Sequence, residues 1–123
     1  WGDMNFLGDD IKQIFVCTEP VDLRKGIDGY AAIVQSIFHR SPMDHCLYIF
    51  CNRSHNKIKA LYYDNASTGF WLLYKRLEKG TFKWKISSDG SYAEISERQF
   101  RWLMEGLKIN QPTAFKKIER QYV

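Results

Sequence analysis

A chain of 123 residues with 45% hydrophobic and 26% charged residues is the size of one compact domain and too short for two. Aromatics at 15% and a net charge of only +4 exclude the aromatic-poor, charge-saturated make-up of chains that stay disordered. No apolar run approaches the roughly 18–20 residues of a membrane span, and WGDMNFLGDD has neither the basic start nor the apolar stretch of a signal peptide. The expectation is a single domain over 1–123, cytoplasmic and without membrane contact, with loosely ordered ends at 1–10 and 111–123. Trp1 in place of a starting Met suggests a trimmed or tagged start, so the first three residues carry no functional argument.

In chain order, IKQIFVC at 11–17 is a β-prone run that stops before Thr18, Glu19 and Pro20. Asp22 stands where an N-cap belongs. Behind it Leu23, Ile27, Tyr30, Ala31, Val34, Ile37 and Phe38 recur at helical spacing. That predicts an amphipathic helix from Asp22 to Phe38, ending near Ser41 and Pro42, with Arg24, Lys25 and Asp28 toward solvent. Gly26 and Gly29 each cost such a helix about 1 kcal/mol, which calls for tight packing or a close backbone approach.

From His45 to Ile86 the pattern becomes HCLYIFC, KIKALYY, GFWLLYKRL and TFKWKI, separated by NRSHN, DNASTG and EKG. Short separators rich in Asn, Asp, Ser and Gly are antiparallel hairpin connections. A β-meander follows, with Lys57 and Lys59 alternating against Ile58, Ala60 and Tyr62, and Lys83 and Lys85 against Phe82, Trp84 and Ile86. One greasy face and one basic face are expected. Tyr92–Ile95 adds a short strand, and Ser96 with Gln99 makes a capping box for a helix striped by Phe100, Leu103, Met104 and Leu107. Gly106 and Pro112 end that helix. The fold class read from these elements is α+β, an antiparallel meander sheet with two main helices packed on it.

Charge is unevenly distributed. Residues 40–85 carry nine bases against three acids, whereas residues 1–39 carry three against six. A sheet gathers such a segment into a basic face suited to a polyanion, although solvated sheets also carry Lys and Arg to stay soluble or to blunt an edge. Tyr62, Tyr63, Phe70, Trp71, Tyr74, Phe82 and Trp84 lie among those bases. Unpaired bases stack on such rings, but alternation assigns most of them to the core.

Cys17, Cys46 and Cys51 are odd in number and lack CxxC spacing, so free thiols are expected. His45, Cys46, Cys51 and His55 are zinc-type residues, yet Cys46 and Cys51 face opposite sides of one strand, and no metal or cofactor is expected. No local pattern pairs a cysteine with a histidine for nucleophilic catalysis. Asp22, Asp28, Asp64, Glu78 and Glu105 would serve a two-metal nuclease only if they converged, and each of Asp22, Asp64 and Glu78 has a cap or turn role available. Phosphate-binding glycine loops are absent from the sequence.

Four segments together, DLRKGIDGY at 22–30, LYIFCNRSHNKIKALYYD at 47–64, GFWLLYKRLEKGTFKW at 69–84 and ISERQFRWLMEGL at 95–107, resemble the TnpB accessory protein of the sixty-sixth insertion-sequence family. The likeness runs from Cys17 to Ile109 in order and spacing. Ser54, His55 and Asn56 stand where members usually carry more arginines. The resemblance implies a non-enzymatic protein encoded beside a bacterial transposase and needed for efficient transposition, with no catalytic residues to carry over. The partners it implies are DNA of the mobile element and the cognate transposase, with a nucleoid location if DNA is bound. Arg24, Lys25, Arg53, Lys57, Lys59, Lys75, Arg76 and Lys79 are the candidate phosphate contacts. An adaptor that binds the transposase without touching DNA is the rival reading.

Overall fold

The computed structural model describes residues 11–64, 68–83 and 90–105. Five strands form one sheet: β1 (Ile14–Cys17), β2 (Leu47–Cys51), β3 (Lys57–Asp64), β4 (Gly69–Arg76) and β5 (Tyr92–Ile95), in the spatial order β4-β3-β2-β1-β5. The helices are α1 (Ile27–Ile33), continued by a wider π-helical turn over Val34–Phe38, and α2 (Glu97–Met104). The architecture is α+β, as the periodicities predict. β2, β3 and β4 pair antiparallel as a meander, and β5 pairs antiparallel with β1. β1 and β2 run parallel, a pairing that needs a crossover, and α1 supplies it.

The sheet is covered on both sides, which corrects the expectation of one apolar and one basic face. Alternation divides each strand between two cores. Phe15, Cys17, Tyr48, Phe50 and Leu61 pack under α1 with Tyr30, Val34 and Phe38. Ile14, Val16, Ile49, Cys51, Ile58, Ala60 and Tyr62 pack under α2 with Phe100 and Leu103. The α1 layer is aromatic, with Tyr30 stacked on Phe50 at 4.8 Å and Phe38 edge-on to Tyr48 at 5.1 Å between ring centroids. Each such side chain, fully buried, contributes about 1.5–3 kcal/mol, so the two layers rather than helix propensity hold these short helices in place.

α1 starts at Ile27, not at Asp22. Gly26 occupies the N-cap position without a side-chain cap. The Asp22 carboxylate instead accepts the Arg24 backbone N–H at 2.9 Å, the local turn that Asp forms in competition with a helix. The stripe of Leu23, Ile27, Tyr30, Val34 and Ile37 does face the sheet, and Arg24, Lys25 and Asp28 are exposed. Gly29 meets the requirement for a close approach, since a Cβ there would lie 2.9 Å from Lys25 Cβ.

At the crossover's far end Arg40 is held in a polar cluster. Its Nε donates to Asp44 at 2.9 Å and to the Tyr48 hydroxyl at 3.1 Å, and its guanidinium lies 4.7 Å from the centre of the Phe15 ring. Tyr48 donates to the same carboxylate. Burial disfavours the Arg40 charge, but the bonds to Tyr48 and Asp44 outweigh it and raise its pKa. Burial and then the Asp44 carboxylate raise that of Tyr48. All three cysteines are buried and free, and burial pushes the Cys51 thiol up to about 12. The TFKWKI run is not strand over Thr81–Lys83. Its remainder, Gly106, Pro112 and both chain ends lie outside the described residues.

Ser96 accepts from the Gln99 N–H while the Gln99 side chain accepts from the Ser96 N–H, the reciprocal pair expected from sequence. Ser96→Ala should cost about 1 kcal/mol in urea unfolding. Asp44→Ala should cost more, about 1–3 kcal/mol, because it takes the acceptor from the Tyr48 hydroxyl proton and the counter-charge from Arg40 together.

Candidate nucleic-acid interface

Two loops and two strands enclose a groove of about 860 Å³ on the α1 side of the sheet. One wall is the segment Pro20–Arg24 between β1 and α1, and the other is the β2–β3 turn with Arg53, Ser54 and Lys57. Lys59, Leu72 and Tyr74 lie between them on β3 and β4.

The first wall is fixed from several directions. Val21 N–H donates to the Cys51 carbonyl at 3.0 Å, and the Tyr30 hydroxyl donates to the Asp22 carbonyl at 2.9 Å. Lys59 Nζ donates to the Lys25 carbonyl at 3.1 Å while sitting 5.7 Å from the ring centres of both Tyr30 and Tyr74. Each ring contact is worth about 0.5–1 kcal/mol at such a half-exposed position. Tyr30 is fully buried, and burial pushes its phenol up to about 12. The second wall is a closed turn, in which Asn52 Oδ1 accepts the N–H groups of Asn56 and Lys57. Leu77 N–H donates to Asn56 and Phe82 N–H to His55, so the chain after β4 backs this turn.

Of the eight candidate cations, Arg24, Arg53, Lys57 and Lys59 line the groove. Arg76 is the register partner of Lys57 and shares its face, and its guanidinium pairs with Glu78 at 2.7 Å. Lys25 is exposed next to the first wall, and Lys79 is exposed in the turn that backs the second. Lys75 is not brought to this face. Its partner is Ile58, on the α2 side, and its Nζ donates to the Met104 carbonyl at 3.1 Å. Lys57 and Lys59 are both half-buried rather than facing water, and the Lys59 ammonium positions the wall. Arg53 and Lys57 form no ion pair with any described residue, which leaves both charges available.

Arg24 is exposed but engaged, with Nε and Nη2 on the two oxygens of Asp22 at 3.0 and 2.9 Å. The hydrogen bonds from the Arg24 side chain and then its backbone N–H lower the Asp22 pKa from 3.8 to about 2. Asp64 accepts from the Trp71 indole, and Glu78 pairs with Arg76. Among the described residues no three His, Cys, Asp or Glu side chains gather as a metal site would require.

Sequence reasoning named Tyr74 as one of seven candidate rings and Tyr30 as part of the helix stripe, without placing either at the groove. Most of the flagged rings are inward, with Tyr62 and Phe82 fully buried and Tyr63 and Phe70 half-buried, whereas Trp71 and Tyr74 are exposed. Trp84 lies outside the described residues. The signal for Tyr74 was register: it stands opposite Lys59, on the face whose cover ends with α1.

The fold and groove define a small α+β domain in which no described helix is long and apolar enough to cross a membrane and a cationic hollow is built from the DLRKG and NRSHNK segments. The chain belongs to the IS66 Orf2-like family, whose model matches residues 12–114. That family is one of transposition-associated accessory proteins of insertion sequences. The chain is 31% identical over 100 residues to "Uncharacterized protein y4hO" of Sinorhizobium fredii (strain NBRC 101917 / NGR234), covering 81% of this chain and 84% of that protein. It is 32% identical over 95 residues to "Uncharacterized protein y4jC" of the same strain, covering 77% and 79%. No solved structure matches.

The folded pKa of Asp22 lies below its ordinary value, so the pairing with Arg24 is fully present above about 3.8 and is lost as pH falls through about 2. Carbon-detected NMR titration should place the Asp22 carboxyl midpoint near 2 and return it toward 3.8 in Arg24→Ala. The wall should accordingly keep its shape between pH 5 and 8, a range in which Asp22 stays ionised.

Proposed function

We propose that the protein is a non-catalytic accessory factor of insertion-sequence transposition that contacts the element's DNA through this groove and so assists the transposase. The observation that carries the reading is the convergence of Arg24, Arg53, Lys57 and Lys59 on one hollow against a single carboxylate, Asp22. Phosphates are the natural counterpart of such a cluster, and affinity built on it comes from counterion release. Among the described residues no helix lines the groove, so base-specific readout has no evident source there and site choice falls to the transposase.

The adaptor reading has one observation in its favour. β4 is an edge strand among the described residues, and its Trp71 is 42% exposed, a surface on which a protein partner can pair. Salt separates the two readings, since an apolar interface lacks the steep salt slope of phosphate contacts.

Gel-shift titrations across a salt series should give loose binding, roughly micromolar or weaker, with little sequence preference. The double variant Arg53→Ala/Lys57→Ala should weaken binding evenly across sequences and flatten the log–log salt slope by up to about two. Both side chains lie outside the two cores, so circular dichroism and melting should be unchanged. Binding that keeps its slope in a folded double variant would move the contact away from this groove.

A further inference from the structure

The groove is not lined by charge alone. Val21, Leu23 and Leu72 border it and pack against the α1-side core, and Tyr74 presents a ring that is 54% exposed. Arg53 and Lys57 stand on the wall beside that ring. A volume of about 860 Å³ is that of a site for a small ligand, for which about 300–1,000 Å³ is usual.

A DNA duplex fits only half of this arrangement. It offers phosphates to the wall cations but keeps its bases stacked and paired inside, so Leu72 and the face of Tyr74 would remain in water. An unpaired nucleotide has a counterpart for each part of it: a base for the ring of Tyr74 and the apolar floor, and flanking phosphates for Arg53 and Lys57. Aromatic platforms flanked by cations are how proteins hold single strands, and each stacked base is worth about 1–3 kcal/mol by alanine substitution. The Lys59 ammonium lies over the Tyr74 ring, 5.7 Å from its centroid, a cation–π contact that restrains the ring.

We infer that the groove takes an unpaired nucleotide of single-stranded DNA, with Tyr74 as the stacking platform and Arg53 and Lys57 as the phosphate contacts. The inference rests on the groove being the DNA-contacting surface and specifies the form of DNA it accepts. Charge complementarity with Arg53 and Lys57 argues for a nucleotide rather than an apolar peptide as occupant.

The test is fluorescence anisotropy of the full chain with three labelled probes: an oligothymidylate of about twelve nucleotides, an oligouridylate of the same length, and a blunt hairpin duplex. The oligothymidylate should bind more tightly than the duplex. Tyr74→Ala should weaken oligothymidylate binding by about 5- to 150-fold, the range for removing one stacked ring, while duplex binding stays within twofold. Tyr74→Phe and Tyr74→Trp should retain the single-strand preference, which a ring with merely structural value in the fold would not explain. Equal affinity for single strand and duplex, with Tyr74→Ala affecting neither, overturns the single-strand inference and leaves DNA contact standing. Tighter binding of oligouridylate than oligothymidylate overturns the assignment to DNA. No binding of any probe at low salt overturns the proposed DNA contact itself.

Discussion

The groove depends on the position of Tyr30. Its ring is stacked on Phe50 in the aromatic layer, its hydroxyl holds the Asp22 carbonyl, and the Lys59 ammonium sits over its face. One buried side chain therefore ties α1 to the sheet, the sheet to the DLRKG loop, and the loop to the central lysine. Loops that carry function need a rigid support. Here the support is hydrophobic burial of a ring whose single polar atom is satisfied by the loop itself, so the loop cannot leave without stranding a buried hydroxyl.

The elements were legible in the sequence because their periodicities are strong. The meander from β2 to β4, the short β5 and the capping box of α2 follow from alternation, turn residues and the Ser96–Gln99 spacing. What the sequence did not disclose were the long-range partners. β1 pairs parallel with β2 and antiparallel with β5, and nothing local in IFVC specifies either. Once β1 lies inside the sheet and helices cover both sides, the face that carries Lys59 becomes half-buried, and counting exposed cations by alternation fails there. Asp22 illustrates the same limit at shorter range: its N-cap chemistry is real, but Arg24 two residues later and Gly26 beyond it redirect that chemistry into a turn.

The site was legible in part. NRSHNK and DLRKG stood out as charged segments, and the fold brings them to opposite walls of one hollow. Lys75 shows why composition alone misassigns: in a strand, neighbours in sequence are opposites in space, and Lys75 and Arg76 are on different faces. Tyr74 was one of seven candidate rings in the sequence, and register, which places it across from Lys59, is what sets it apart. The arrangement separates charges by duty. Arg24 and Lys59 are spent on shaping the wall, whereas Arg53 and Lys57 form no ion pair among the described residues and supply the field.

The place of β1 between β2 and β5 also sets an order of assembly. Among the described strands it comes first in the chain, and both of its neighbours come later, β2 about thirty residues on and β5 more than seventy. Until residues 92–95 have emerged, β1 has an open edge of apolar residues, and the α2 layer that covers Ile14 and Val16 does not exist. Contacts of such long sequence separation slow folding and prolong the exposure of unpaired edges. A chain that ends before β5 therefore leaves this apolar edge open to pairing with other strands, and the capped α2 that follows β5 directly completes the cover.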